Sequence, residues 1–599
     1  MKLALDFDTA VARDIVARKA GRAREQRFLK ALLGLMLPMI ATAADALPRA
    51  TQSAAHVYVL GRFADDVGEL PEAARYFDNA RRRDPSDLSL TRRAFETAVA
   101  AGELKLASSL ATRLTATQGG DSTVALVRLA EAIQRGDWAA AEAARSGIAD
   151  VGYAAVVAPI VEAWTLFGRG RVDQGLAKLD PAAMTGFTRS YVAEARAHML
   201  AATGRYAEAA IAYRDLRVGT GPGVSFLALG EADALEQAGD RDGAMKLLDG
   251  FRTDPTLAAA RARLAAGRRV GRLASEPADG IAWLCARLAT DLSRDKPVPL
   301  ALVFARVATF VAAPGSAASS AAWLITGDVL ARSERGSAAL AAYDRISAND
   351  PLIGLARARR AEVLSTTGRD AEARALLEAA TVAPGADVEA WSRLGDWFRR
   401  ADAHADAARA YTRAIALAEA APGPRNWTLY FLRGSSHEQA GDWKAAEPDV
   451  RRALALAPSE PTVLNYLGYA LLDRGLTLDA AQALITRASA LRPDDGFITD
   501  SLGWAQYRRG QYQAAVTTLE RATAAEPGDP TINEHLGDAY WRAGRRIEAR
   551  FRWRAAYDLG TVATAKAAVA AKLDFGLDAA LSIAKQGDAA WLSNTRPQN

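Results

Sequence analysis

Asn465-Tyr466-Leu467-Gly468-Tyr469, Asp500-Ser501-Leu502-Gly503-Trp504 and His535-Leu536-Gly537-Asp538 are variants of one phrase. Gly503 and Gly537 stand 34 residues apart, and so do Gly510 and Gly544, Ala515 and Ala549, Ala522 and Ala556, and Pro493 and Pro527. A fixed period of that length marks a solenoid of helical hairpins. The residue types fit this reading. Gly503 and Ala515 sit where two antiparallel helices cross, and Ala522 meets the next hairpin, so small side chains let the backbones approach. Leu502, Leu519, Leu536 and Trp553 fill the remaining space. Gly510 and Gly544 fall at the turn between helices, where a left-handed backbone is needed. Pro493 and Pro527 lie past the second helix, which proline cannot extend.

The pattern resembles the tetratricopeptide repeat. The resemblance implies an all-α, right-handed superhelix, here of about 13–14 helical hairpins given the chain length and the period. A repeat array also suits 599 residues, since each unit contacts only its neighbours and no single core has to grow with the chain.

The period extends outward in both directions. Gly68, Gly102, Gly136, Gly170 and Gly204 are each 34 residues apart, and each is followed five residues later by a small one: Ala73, Ala107, Ala141, Gly175 and Ala209. This gives an N-terminal array over 54–255. Phase drifts over 256–319, where Pro297, Pro299, Pro314 and Gly315 interrupt it, and Trp283 to Leu292 reads as an isolated amphipathic helix. That stretch is expected to be an irregular helical connector between two halves. Ala339, Ala373 and Ala407 restore the 34-residue interval, and a C-terminal array is expected over 320–560. A capping helix and a disordered tail follow over 561–599.

Residues 1–46 are of a different kind. Arg22, Arg24, Arg27 and Lys30 precede the apolar run Ala31-Leu32-Leu33-Gly34-Leu35-Met36-Leu37-Pro38-Met39-Ile40, and Ala41-Thr42-Ala43-Ala44-Asp45-Ala46 offers small-residue cleavage near Ala43 or Ala46. This reads as a signal peptide with an N-terminal extension, and predicts a periplasmic or secreted protein with no stable membrane span in the mature chain. The alternative is an amphipathic N-terminal helix of a cytoplasmic protein. Residues 1–43 hold eight basic and four acidic side chains, so without them 75 Lys/Arg and 70 Asp/Glu become 67 and 66. A nearly neutral mature chain gives no electrostatic footprint for nucleic acid.

Chemistry is sparse. Cys285 is the only cysteine, which excludes an intramolecular disulfide and a CxxC metal site, and its neighbours Trp283 and Leu284 predict a buried, inert thiol. His56, His198, His404, His437 and His535 form no paired metal motif. Gly219-Thr220-Gly221-Pro222-Gly223 lacks a preceding strand and reads as a loop. No catalytic residue, cofactor site or metal site is expected.

In tetratricopeptide arrays the first helix of each repeat lines the concave face. On the last three repeats this places Asn465, Tyr469, Asp500, Trp504, Tyr507, Arg508, Glu534, Asp538, Trp541 and Arg542 in a candidate peptide groove. Aromatics beside arginines and hydrogen-bonding groups suit such a groove; the competing reading for Trp504, Tyr507 and Trp541 is core packing. Asp500 and Glu534 would repel a terminal carboxylate, which favours a partner with basic or polar backbone contacts. Trp164 and Phe167 in the first array are the fallback surface. Residues 461–558 are further similar to the C-terminal repeats of large bacterial envelope tetratricopeptide proteins, some of them lipoprotein adaptors for a processing protease that acts on cell-wall hydrolases. That resemblance implies a non-catalytic scaffold or adaptor that binds other proteins, with an envelope protease or cell-wall enzyme as partner. A self-associating scaffold and a cytoplasmic regulator are the alternatives.

Overall fold

The computed structural model describes residues 53–585, apart from short stretches at 119–120, 149–153, 218–223, 252–253, 272, 295–297, 384–385 and 421–424. The leader, the tail beyond residue 585 and the Gly219–Gly223 loop lie outside the described residues. Among those described, 31 α-helices and no strands occur. The chain is an all-α solenoid of hairpins, divided into two compact units that meet at Ala383 and Pro384.

The first unit begins with six hairpins: α1 (Ala54–Asp66) with α2 (Leu70–Arg83), α3 (Leu88–Ala101) with α4 (Leu104–Gln118), α5 (Ser122–Gln134) with α6 (Trp138–Arg145), α7 (Ala154–Gly168) with α8 (Val172–Lys178), α9 (Thr188–Ala202) with α10 (Tyr206–Arg217), and α11 (Val224–Gln237) with α12 (Arg241–Asp249). Then come α13 (Pro255–Ala265), α14 (Pro277–Leu292), α15 (Pro299–Val311), α16 (Ala317–Arg332), α17 (Gly336–Tyr343), α18 (Ile353–Thr366) and α19 (Asp370–Val382).

The stretch 256–319, read as an irregular helical connector, packs against the first array. Helix α14 packs on α7 and α9, and α15 packs on α3 and α5. The chain therefore turns back and covers the first helices of its own array. The cause lies in composition: Ile281, Ala282, Trp283, Leu284, Cys285, Ala286, Leu288 and Ala289 are all buried, and a helix apolar on every side must be surrounded. Gly280 leaves room for the fully buried Trp164 ring. Polar ties fix the register. Arg306 Nε donates to Ala100 O at 2.9 Å near the end of α3, Gln134 Nε2 donates to Phe310 O at 3.0 Å, and Tyr191 Oη donates to Asp291 at 2.6 Å. Arg335, just before α17, pairs with Asp65 at the end of α1 at 2.7 Å. Cys285 is buried inside this packing, which pushes its thiol up to about 12.

The second unit comprises α20 (Val388–Arg400), α21 (His404–Ala420), α22 (Trp427–Gln439), α23 (Trp443–Leu456), α24 (Pro461–Asp473), α25 (Leu478–Leu491), α26 (Gly496–Arg508), α27 (Tyr512–Ala525), α28 (Pro530–Arg542), α29 (Arg546–Leu559), α30 (Ala563–Phe575) and α31 (Leu577–Lys585). Ala481, Ala515 and Ala549 are fully buried, as are Ala488 and Ala522. A Cβ on Gly503 would lie 2.5 Å from Leu519 Cγ, so only glycine permits this crossing. Gly510 and Gly544 turn the chain with φ of 76° and 83°.

One device recurs through both units. A Gly-Asp pair on a first helix faces an aromatic ring on the second. Tyr343 donates to Asp328 at 2.7 Å, Tyr411 to Asp396 at 2.6 Å and Trp553 Nε1 to Asp538 at 2.9 Å, each ring lying against the glycine that precedes the aspartate. Burial of the ring requires a partner for its polar atom, and the aspartate supplies it. A second device joins consecutive repeats: Arg113, Arg487 and Arg521 donate to the carbonyls of Pro85, Pro458 and Pro493. These bonds satisfy acceptors in the inter-repeat turns.

Candidate functional site

The first helices α24, α26 and α28 carry the candidate groove residues, and they pack closely enough to bury several of them. Asn465, Tyr469, Asp500 and Asp538 are buried. Asp500 accepts from His535 Nδ1 at 3.0 Å across the α26–α28 interface. His535 also stacks on Trp504, with ring centroids 4.1 Å apart and planes 13° apart. Tyr507 stacks on Trp504 at 4.6 Å and 9°. Three rings thus form a continuous stack, in which Trp504 and Tyr507 remain half-buried and reach solvent.

Burial would push the His535 imidazolium toward deprotonation, but Asp500, Glu534 and Asp538 outweigh it and hold its pKa above the ordinary value. Asp529, which caps α28 by accepting from Ile532 N at 2.7 Å, behaves differently. Burial, aided by nearby Asp500, pushes its carboxyl up to about 7, and its Oδ2 has no hydrogen-bond partner.

Glu534 and Asp538 are also occupied. Lys572 from α30 reaches between them, with Nζ 2.6 Å from Glu534 and 2.7 Å from Asp538, and the two carboxylates hold the ammonium charged against the cost of its burial. Asp538 further accepts from Trp553. Trp541 Nε1 donates to Asp578 of α31 at 3.1 Å, and Arg542 pairs with the same carboxylate at 2.5 Å. Arg508 is exposed.

Asn465 and Asp500, expected in the groove, are therefore not open to a peptide. Both side chains lie between packed helices, and Asp500 is consumed by His535. The acids expected to repel a carboxylate are neutralised in place. Of the fallback pair, Trp164 is fully buried beneath α14 and stacks at 5.7 Å on Phe167, which is partly exposed. His535 and Lys572 were not among the candidates, although each has a sequence signal. His535 lies 35 residues after Asp500 and Lys572 lies 34 after Asp538, one repeat along in both cases.

The tetratricopeptide repeat family model matches residues 326–386, 431–496 and 501–558. Those stretches are tetratricopeptide repeats. No curated protein matches the chain. Several solved structures resemble parts of the chain. MamA of AMB-1 is 19% identical, covers 29% of this chain and 93% of its own, and has a TM-score of 0.24. MamA of Desulfovibrio magneticus RS-1 is 18% identical, with coverages of 30% and 97% and a TM-score of 0.26. YrrB, described as a TPR protein with an unusual peptide-binding site, is 18% identical, with coverages of 32% and 95% and a TM-score of 0.26. Repeats of this family make the protein a protein–protein interaction scaffold. No helix among the described residues is long and apolar enough to cross a membrane.

Proposed function

We propose that this scaffold is a non-catalytic adaptor of the bacterial cell envelope, and that it captures segments of partner proteins on the first-helix face of the second unit. The observation that carries the reading is the stack of Tyr507 and Trp504 on the buried His535, with Tyr507 and Trp504 partly exposed beside the exposed Arg508. Flat aromatic surface with an adjacent guanidinium is the usual composition of an interaction hot spot. In the first unit, α14 and α15 cover the first helices α3, α5, α7 and α9. Export is supported by the leader-like segment over residues 22–46, and an adaptor role by the resemblance of residues 461–558 to envelope adaptors.

The test uses the full chain as bait in envelope fractions. Partner capture should fall at least tenfold with Arg508→Glu, which alters only an exposed side chain, and with Trp504→Ala. Capture indifferent to both would remove the stack from the function. N-terminal sequencing of the native protein tests export separately: a mature terminus near Ala44 or Leu47 supports it, and an intact N-terminus sinks it.

A further inference from the structure

Helix α29 differs from its counterparts in the two preceding repeats. Its buried side is regular, with Ala549, Trp553 and Ala556 turned into the core. Its outer side carries Ile547 and Phe551, 72% and 73% exposed, one helical turn apart. The same register positions 34 and 68 residues earlier hold Gln513 with Thr517, and Asp479 with Ala483. Polar or small side chains are the rule at this face, and the last repeats of an array need a polar outer surface to stay soluble. An isoleucine and a phenylalanine placed together here have a use other than folding.

The flank of this pair is cationic. Arg546, Arg550 and Arg554 recur every four residues along it, and all three are exposed. Arg550 is steadied by donating to the Leu573 carbonyl of α30, and Arg554 lies over the Tyr557 ring. We propose that the outer face of α29 is a second docking surface, which takes an amphipathic helical segment of a partner protein with an acidic flank. Two apolar anchors one turn apart match the i, i+3 or i+4 anchors of such a helix, and its carboxylates would meet the arginine row. A second copy of this chain fits less well. Helix α29 holds four arginines and two acids, so two copies would face each other with like net charge. An anionic lipid surface also fits less well, because Asp558 stands two turns beyond Phe551 on the same exposed side.

The test takes the full chain and two fluorescent helical peptides with leucines at i, i+3, i+4 and i+7, one with glutamate and one with lysine at the remaining positions. Anisotropy should show binding of the glutamate peptide, no binding of the lysine peptide, and at least a tenfold loss for Ile547→Ser and for Phe551→Ser. Both side chains are mostly exposed, so the variants should melt as the parent does. Arg508→Glu should leave this binding unchanged, which separates the α29 face from the groove. The proposal is overturned if neither peptide binds, if both bind equally, or if the serine variants retain affinity. It is also overturned if phosphatidylcholine vesicles containing one-third phosphatidylglycerol bind the chain and Phe551→Ser abolishes this. Concentration-dependent dimers lost in the same variant would overturn it in favour of self-association.

Discussion

Replacing Asp529 by asparagine isolates a strongly perturbed carboxyl in the second unit. Asp529 is 2% exposed and its pKa is pushed from 3.8 up to about 7, with burial as the main cause. The native state therefore holds a proton that the unfolded chain releases near pH 4. Stability rises with pH only where the unfolded state binds more protons; here the native state binds more, so stability falls. The loss begins above the unfolded pKa and is complete once the pH has passed the folded value near 7. A shift of about three units corresponds to about 4 kcal/mol across that window. Asparagine keeps the cap, since its side-chain oxygen can accept from Ile532 N as Asp529 does at 2.7 Å, but it never charges. The two proteins should be nearly equal in stability near pH 3, below both pKa values, and the variant should be more stable by about 2–4 kcal/mol at pH 8. His535, held above its ordinary value, also gives stability below its unfolded pKa that is lost as the pH rises through its folded one. That background is common to both proteins, so their difference reports Asp529. Protection of α28 amides in hydrogen exchange, corrected for intrinsic rates, is the readout. Parallel curves from pH 5 to pH 8 would refute a buried, proton-holding Asp529.

Three further outcomes follow from the packing. Ala515→Leu should cost about 1–3 kcal/mol by overpacking a fully buried crossing, whereas Gln513→Leu on the exposed side of the same helix should be near neutral in a thermal melt. Lys572→Met removes the cation shared by Glu534 and Asp538 and should cost about 3–5 kcal/mol at neutral pH, read by urea unfolding; a neutral result would mean that the ion pair is not formed. Trp504→Ala should lower stability by about 1–2 kcal/mol, because the ring stacks on both Tyr507 and His535, so its binding defect must be judged beside Arg508→Glu at matched foldedness.

Much of the hairpin architecture was legible because it is a local matter. Gly503 against Leu519 and Ala515 at the crossing are separated by less than one repeat, and the period displays both. The Gly-Asp…aromatic device was equally open to reading. Gly327-Asp328 with Tyr343, Gly395-Asp396 with Tyr411, and Gly537-Asp538 with Trp553 share one spacing. It would have assigned Asp538 to its own hairpin before any groove. The return of α14 was not legible. Its apolar circumference announces burial, but Gly280 meets Trp164 across more than one hundred residues, and nothing in either local sequence names the other.

The groove failed to be legible for a different reason. Register tells which face of a helix a residue occupies; it does not tell how closely the next first helix approaches. Where that approach is tight, a residue on the groove face becomes an inter-repeat contact, as Tyr466 does when it donates to Glu438 at 2.9 Å and as Asp500 does with His535. Charge is then spent along the array. The acids on α26 and α28 face bases one repeat further on, and what solvent meets is the remainder: the partly exposed Trp504 and Tyr507 rings and the Arg508 guanidinium. A groove read from its residue types is anionic, whereas the same groove read from its pairs is aromatic with an exposed guanidinium at its edge. The partner chemistry inferred from the surface follows the pairs, because a carboxylate already held by a lysine or an imidazolium has little field left for a ligand.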